Sequence, residues 1–479
     1  MNAAAGTRFD WRTPLVPVAV AVGFALLSYR AARQLTFDGY HYCELAKQFG
    51  AEWPDRFGNH WPFGYPLAGG LLCRLGLPAY ESLVLVSTVS LFFLFAVAGK
   101  IIATHPHRIL VLASLAAAPI VAVQLLGLLT ELPFAAALLG LVFFLSQWPA
   151  RRALWSAAAC AVLALTIRYA GLIAFAVMGV WTICRWRELR KAQRQGDIIV
   201  VWLLTLATVG GLLMINVLKT GYASGAGRGG APGLGALPWE LADFGWSVPS
   251  AMFAGGLRTL VAPSSAPGRV IGVLIFLMLA AICFWAWRQP RSGYSRPLAL
   301  CVLGYATGMA VLHCIGDFDA LYNARTFLPA LVPAGLLVAE QLAARREWLL
   351  ASCLVLLLSG GVAALRGVSR EIGGDVQAAL SLLRPRLAPD DTVMINDNAF
   401  SLAAYLPQRT SRVWAEYWRN DFPARFVVIC AKPTDRAGTA GQVSAAWLEL
   451  SARLVASGRW KYLIKTPALI ALEQLPADQ

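Results

Sequence analysis

The sequence predicts an α-helical polytopic membrane protein of about eleven spans that ends in a soluble α/β domain. Of its 479 residues 58% are hydrophobic and only 14% charged, with a mean hydropathy of +0.59, outside the balance of soluble domains. Apolar runs long enough to cross ~30 Å of hydrocarbon recur between residues 14 and 365. Beyond about residue 370 the pattern changes to short β-like runs separated by helical ones. The net charge of +15 does not point to nucleic acid, because the basic residues stand in short clusters between apolar runs rather than on one solvent face.

The first run, 14 to 33, follows Arg8 and Arg12 and is closed by Arg30 and Arg33. No small-residue cleavage site follows it, so it reads as a retained span rather than a signal peptide. Further runs lie near 81 to 102, 108 to 127, 130 to 148, 198 to 218, 268 to 287, 298 to 315, 322 to 343 and 347 to 365. The run from 153 to 184 is very long for one helix and short for two. Charge decides between them, because Lys and Arg in short loops favour the cytoplasmic side. A break at Arg168-Tyr169-Ala170-Gly171 places every strong basic cluster inside, including the dense one from Arg185 to Arg194. The expected topology has a cytoplasmic N-terminus and Arg168 facing the external half of the membrane.

Three large segments then fall outside: 34 to 80, 220 to 267 and 371 to 479. The first holds "NHWPFGYP", whose prolines and glycine deny Trp61, Phe63 and Tyr65 a continuous helix face. These aromatics suit an interfacial belt or the wall of a groove for a sugar or lipid headgroup. The second opens with a glycine-rich stretch at 221 to 235, a candidate lid, and continues through Trp239, Phe244 and Trp246 as a segment expected to rest on the membrane. In the third, "DDTVMI", "RFVVICA" and "KYLIKT" read as strands, with helical patterns at 376 to 387 and 443 to 456. The nine cysteines show neither a CxxC nor a metal spacing and read as buried small hydrophobes.

Ionisable residues outside the basic loops are few. Asp38, in "TFDGYHYCELA", is either a general base at the membrane surface or the N-cap of the helix that follows. Glu131, in "LLTELPF", is either a helix-opening acid favoured by the dipole or a functional charge at the membrane edge. His313, Asp317, Asp319 and Arg325 surround "HCIGDFDALYNAR"; the spacing favours a polar turn over a metal site, and no metal ligand is assigned. Arg325 offers a planar donor fork suited to phosphate oxygens, or snorkels at a helix end.

In order and spacing over most of residues 1 to 345, these positions resemble the C-type glycosyltransferases (GT-C), in particular the branch of protein mannosyltransferases and the lipid A aminoarabinose transferase. The likeness rests on Asp38 soon after the first span, the P-x-G-Y-P element Pro62 to Pro66, "TELPF", "IRYAG", and Arg325 followed by "LPALVP". The resemblance implies an enzyme that takes a sugar from a polyprenyl-phosphate carrier and passes it to a lipid, glycan or protein acceptor at the outer face of the plasma (inner) membrane. It implies Asp38 as the catalytic base and Arg325 as counter-charge for the leaving phosphate, with His60, Tyr65, Glu131 and Arg168 as further candidate substrate-binding residues. His60 departs from the aminoarabinose branch, which tends to carry an acid and a lysine there. The chemistry is intelligible without the family: a departing lipid phosphate needs cations, and an incoming hydroxyl or amine needs a carboxylate for its proton. His60, Arg168, Lys219, Arg228, Arg258 and Arg325 are the external candidates for those cations. The sequence names no cofactor and leaves the metal requirement open. The rival functions are a lipid-linked sugar flippase, although no internal repeat is visible, and a non-catalytic envelope-assembly protein.

Overall fold

The computed structural model describes residues 10–29, 35–51, 62–222, 232–253, 261–316, 324–366, 374–413, 424–431 and 442–475. Among the described residues five helices are long and apolar enough to cross a membrane: α4 (Ala79–Ile101), α11 (Gln195–Thr220), α13 (Ala266–Arg288), α14 (Ser295–Ile315) and α16 (Arg346–Arg366). The bent pair α5 (Arg108–Ala116) and α6 (Pro119–Leu126) makes a sixth if counted as one span. Three shorter apolar helices, α1 (Arg12–Tyr29), α7 (Glu131–Leu145) and α9 (Leu172–Cys184), pack among them. The described residues thus form a multi-pass bundle with fewer full-length crossings than the eleven expected.

Local sequence explains the departures. The run 108 to 127 was expected to be one span, but α5 and α6 meet at 60°, because Pro119 opens α6 and cannot continue the hydrogen-bond ladder of α5. The run 153 to 184 is broken at the place expected. There α8 (Arg151–Ile167) ends, Arg168 is extended (φ −148°, ψ 141°), and a 3-10 turn over Tyr169–Gly171 leads into α9. A Cβ on Gly171 would lie 2.3 Å from the Leu165 backbone nitrogen, so only glycine lets this turn fold back on α8. The segment expected to rest on the membrane is instead the packed helix α12 (Leu237–Met252), with Phe244 and Trp246 fully buried. Glycine allows the burial: a Cβ on Gly245 would meet the Gly272 carbonyl of α13 at 2.1 Å, and one on Gly272 would meet that of Ala242 at 2.2 Å. Most of the candidate lid, 223 to 231, lies outside the described residues.

The C-terminal region builds a five-stranded sheet in the order β2-β1-β3-β5-β4, from β1 (Thr392–Ile395), β2 (Arg409–Arg412), β3 (Phe426–Cys430), β4 (Trp460–Lys465) and β5 (Leu469–Gln474). β1 pairs in parallel with β2 and β3, and β5 runs antiparallel to β3 and β4. α17 (Gly374–Leu383) and a 3-10 turn over Asp397–Ala404 cover one face, and α18 (Ala445–Ala456) covers the other. Between bundle and sheet lies α2 (Phe37–Ala51), with α3 (Gly64–Arg74) beside it. Tyr42, Cys43 and Ala46 of α2 pack with Tyr65, Tyr80 and Leu83, whereas Tyr40 joins the core of the sheet domain. All nine cysteines are free thiols, most of them buried and Cys184 exposed.

Candidate active site

The start of α2 is capped by Thr36, whose hydroxyl accepts from the Gly39 N–H at 3.0 Å while its carbonyl accepts from Tyr40 N at 2.9 Å. Asp38 is therefore not the cap, as one of its two sequence readings had it. Thr36 stands two residues earlier, in the position from which a short side-chain oxygen reaches the third helical N–H. Gly39 lets the helix start press on the turn before α7, since a Cβ there would meet the Gly127 carbonyl at 2.2 Å.

Released from capping, the Asp38 carboxylate accepts from Arg325 Nη1 at 2.5 Å. Arg325 is the second residue of α15 (Ala324–Leu342), and its Nε lies 3.9 Å from Glu131 Oε1 at the first position of α7. The same Glu131 oxygen accepts from Arg168 Nη1, and Arg168 also reaches Thr130 Oγ1 at 3.4 Å. Two carboxylates and two guanidiniums thus alternate in one chain, Asp38, Arg325, Glu131, Arg168. Tyr42, one helical turn beyond Asp38, hydrogen-bonds to Thr130, and burial raises the pKa of its hydroxyl, which keeps it a proton donor.

Exposure separates the roles these residues can take. The side chains of Asp38, Arg325 and Arg168 are 17%, 16% and 22% exposed, and that of Glu131 only 2%. Glu131 is thus the buried anchor that holds both guanidiniums, while the other three can meet a ligand. An apolar cavity of about 280 Å³ is lined by Phe63, Leu165, Thr166, Tyr169, Leu212 and Asn216 among others; none of the four charged residues lines it. Tyr169 follows Arg168 directly, and its hydroxyl accepts from Asn216 Nδ2 at 2.9 Å.

The remaining sequence candidates fall elsewhere. Tyr65 is not on the site surface: it is buried in the core, its hydroxyl bonded to the Leu83 carbonyl at 3.2 Å and to Ser87 Oγ at 2.9 Å. His60, Trp61, Arg228, Arg258, Asp317 and Asp319 lie outside the described residues. Lys219 sits in the last turn of α11. His313 lies 2.7 Å from Glu240 of α12, a partner the sequence reading missed. Among the described residues no three His, Cys, Asp or Glu side chains are placed to hold a metal. Sequence reasoning gave no role to Thr36, Thr130 or Tyr42; only the S/T-x-x spacing before α2 signals the first.

No protein-family model and no curated protein sequence matches the chain. Solved structures do. ArnT from Cupriavidus metallidurans bound to undecaprenyl phosphate superposes with a TM-score of 0.60 at 12% identity, covering 97% of this chain and 98% of that one. Its apo state gives 0.52 at 15% identity, over 96% and 97%. The oligosaccharyltransferase of Archaeoglobus fulgidus, in complex with zinc and sulfate, gives 0.51 at 11% identity, over 87% of this chain and 68% of that one. At such identities the likeness is one of fold, and the fold is GT-C.

Proposed function

We propose that the chain is an integral membrane glycosyltransferase that moves a sugar from a polyprenyl-phosphate donor to a hydroxyl or amine acceptor at the outer face of the plasma (inner) membrane, with the sheet domain on that side. The alternating chain of Asp38, Arg325, Glu131 and Arg168, reachable at three of its four members, carries the reading. The undecaprenyl phosphate bound to ArnT, and the dolichol phosphate in the archaeal oligosaccharyltransferase AglB, support a lipid phosphate as the group this site handles.

The chemistry is a displacement at the sugar's anomeric carbon. The acceptor oxygen or nitrogen forms the new bond, its proton passes to an Asp38 carboxylate oxygen, and the bond from that carbon to the phosphate oxygen breaks. The phosphate departs with the electron pair, and Arg325 and Arg168 stabilise the charge it gains. In the resting arrangement the Arg325 fork engages Asp38. A guanidinium has five N–H donors, so an arriving phosphate draws the fork toward itself and frees a carboxylate oxygen for the acceptor. Glu131 keeps both guanidiniums in place. The apolar cavity offers packing contacts to the lipid tail, which leaves a bilayer as apolar as the cavity itself.

Purified protein incubated with a panel of polyprenyl-phosphate sugars tests the reading, with release of the lipid phosphate as the signal. Acceptor-dependent release supports it. Passage of intact lipid-linked sugar across liposomes without release would place the chain among the flippases.

A further inference from the structure

α2 has two working faces. Residues four apart stack on one side of a helix, so Asp38 and Tyr42 share the face toward the bundle, where the Tyr42 ring meets Tyr65 edge-on at 5.4 Å. Tyr40, Glu44 and Lys47 form another face, and it meets the sheet domain. The transfer chemistry makes no use of Glu44, yet it is a buried carboxylate with three partners. Glu44 accepts from the Thr410 backbone N–H at 3.0 Å, from Thr410 Oγ1 at 2.7 Å and from Lys47 Nζ at 2.7 Å. Lys47 donates onward to the Gln408 carbonyl at 3.0 Å, and the Tyr40 hydroxyl donates to the Thr410 carbonyl at 3.1 Å. The Tyr40 ring stacks on Phe400 at 4.7 Å, and the Arg412 guanidinium, paired with Asp397, lies 4.6 Å from the Phe37 ring.

Thr410 belongs to β2, the edge strand, whose outward backbone groups would otherwise be left open. Glu44 and Tyr40 occupy them. This accounts for "RTSR" as a strand with no apolar pattern: its partner is a helix from the far end of the chain. It also accounts for the position of Phe37, which Arg412 covers one residue before Asp38.

We infer that the sheet domain is the positioning element for Asp38, and that Thr410, through Glu44 and Tyr40, fixes the register of α2 and hence the placement of the Asp38 carboxylate against Arg325. This rests on the transferase reading above. A reacting group displaced by ~1 Å loses on the order of 10²-fold in rate, so a slack latch should appear in turnover before it appears in folding.

Thr410→Val and Thr410→Ser in the full chain test it. Valine keeps the shape and the backbone N–H but removes the hydroxyl from Glu44, and serine returns it. With an accepted polyprenyl-phosphate sugar, Thr410→Val should lower kcat by ~10- to 10²-fold while donor KM and undecaprenyl phosphate binding stay within about twofold, and Thr410→Ser should recover most of the rate. Amide exchange over residues 39 to 43 should quicken in the valine variant and return with serine. If Thr410→Val does not fold, Lys47→Met, which loses the Gln408 contact and the Glu44 ion pair, serves in its place. Wild-type turnover in the valine variant, equal losses in valine and serine, or unchanged exchange in α2 would each overturn the inference. A wild-type chain that releases lipid phosphate from no donor would overturn the transferase reading instead; the exchange comparison then decides the latch alone, quickened exchange upholding it and equal exchange refuting it.

Discussion

Replacing Asp38 by Asn separates the chemistry at this residue from its contribution to the fold. The amide keeps the size and one acceptor oxygen for Arg325 Nη1, now 2.5 Å from the carboxylate, but loses the charge and the proton-accepting oxygen. The helix start is unaffected because Thr36, not Asp38, holds the Gly39 N–H. The structural cost is that of turning one charge-assisted hydrogen bond into a neutral one, about 1 kcal/mol, with Glu131 still 3.9 Å from Arg325 Nε. Loss of a general base costs ~10²- to 10⁴-fold in turnover, or ~3 to 5 kcal/mol of activation free energy. The catalytic loss should therefore exceed the stability loss several-fold. Lipid-phosphate release measures the first, and thermal unfolding with an undecaprenyl phosphate titration measures the second. A folded Asp38→Asn protein with near wild-type turnover would refute the base. The role could not then pass to Glu131, whose side chain is only 2% exposed, or to Glu44, which is buried against Thr410 on the face of α2 turned to the sheet domain.

Glu131→Gln leaves two guanidiniums around an uncharged amide and should destabilise the chain by up to ~3 kcal/mol, the partial exposure of Arg168 (22%) limiting the loss; thermal unfolding reads it, and donor affinity should fall with it. Thr36→Ala removes the cap and should cost ~1 kcal/mol, with a much smaller loss of turnover than Asp38→Asn in the same assay. Leu212→Trp fills part of the apolar cavity and should weaken binding of undecaprenyl phosphate by several-fold through lost packing contacts, while leaving a ten-carbon isoprenyl phosphate almost unaffected; equal losses for both chain lengths would remove the cavity from the lipid path.

Much of this arrangement was legible in the sequence, residue by residue, and little of it was legible as an arrangement. Asp38, Glu131, Arg168 and Arg325 each stood out because an ionisable side chain at the edge of an apolar run is costly unless partnered. Their alternation was not visible, since Arg168 lies 37 residues from Glu131 and Arg325 lies 287 from Asp38, and only the packed bundle brings them together. Charge placement found the break at Arg168 correctly. The bend at Pro119 was readable from the proline but was masked by the unbroken hydropathy around it. Thr36 and Asp38 both satisfy the composition rules of an N-cap, and backbone geometry decides between them. The burial of α12 depends on Gly245 meeting the backbone of α13, which no periodicity within either helix announces. β2 escaped because its polar side chains answer to α2 rather than to a sheet face. Tyr65 was drawn to the site by its neighbours in "PFGYP", yet its hydroxyl serves the packing of α3 on α4.

The most direct test follows the phosphorus of the donor. In a polyprenyl-phosphate sugar the phosphate is a diester, and transfer of the sugar leaves a monoester, so phosphorus-31 NMR of wild type and Asp38→Asn with donor and acceptor reports the bond that breaks. The site described here predicts acceptor-dependent conversion of diester to monoester in wild type and a rate lower by ~10² or more in the folded Asn variant. An unchanged diester with every donor tried, or equal conversion in the two proteins, would contradict it.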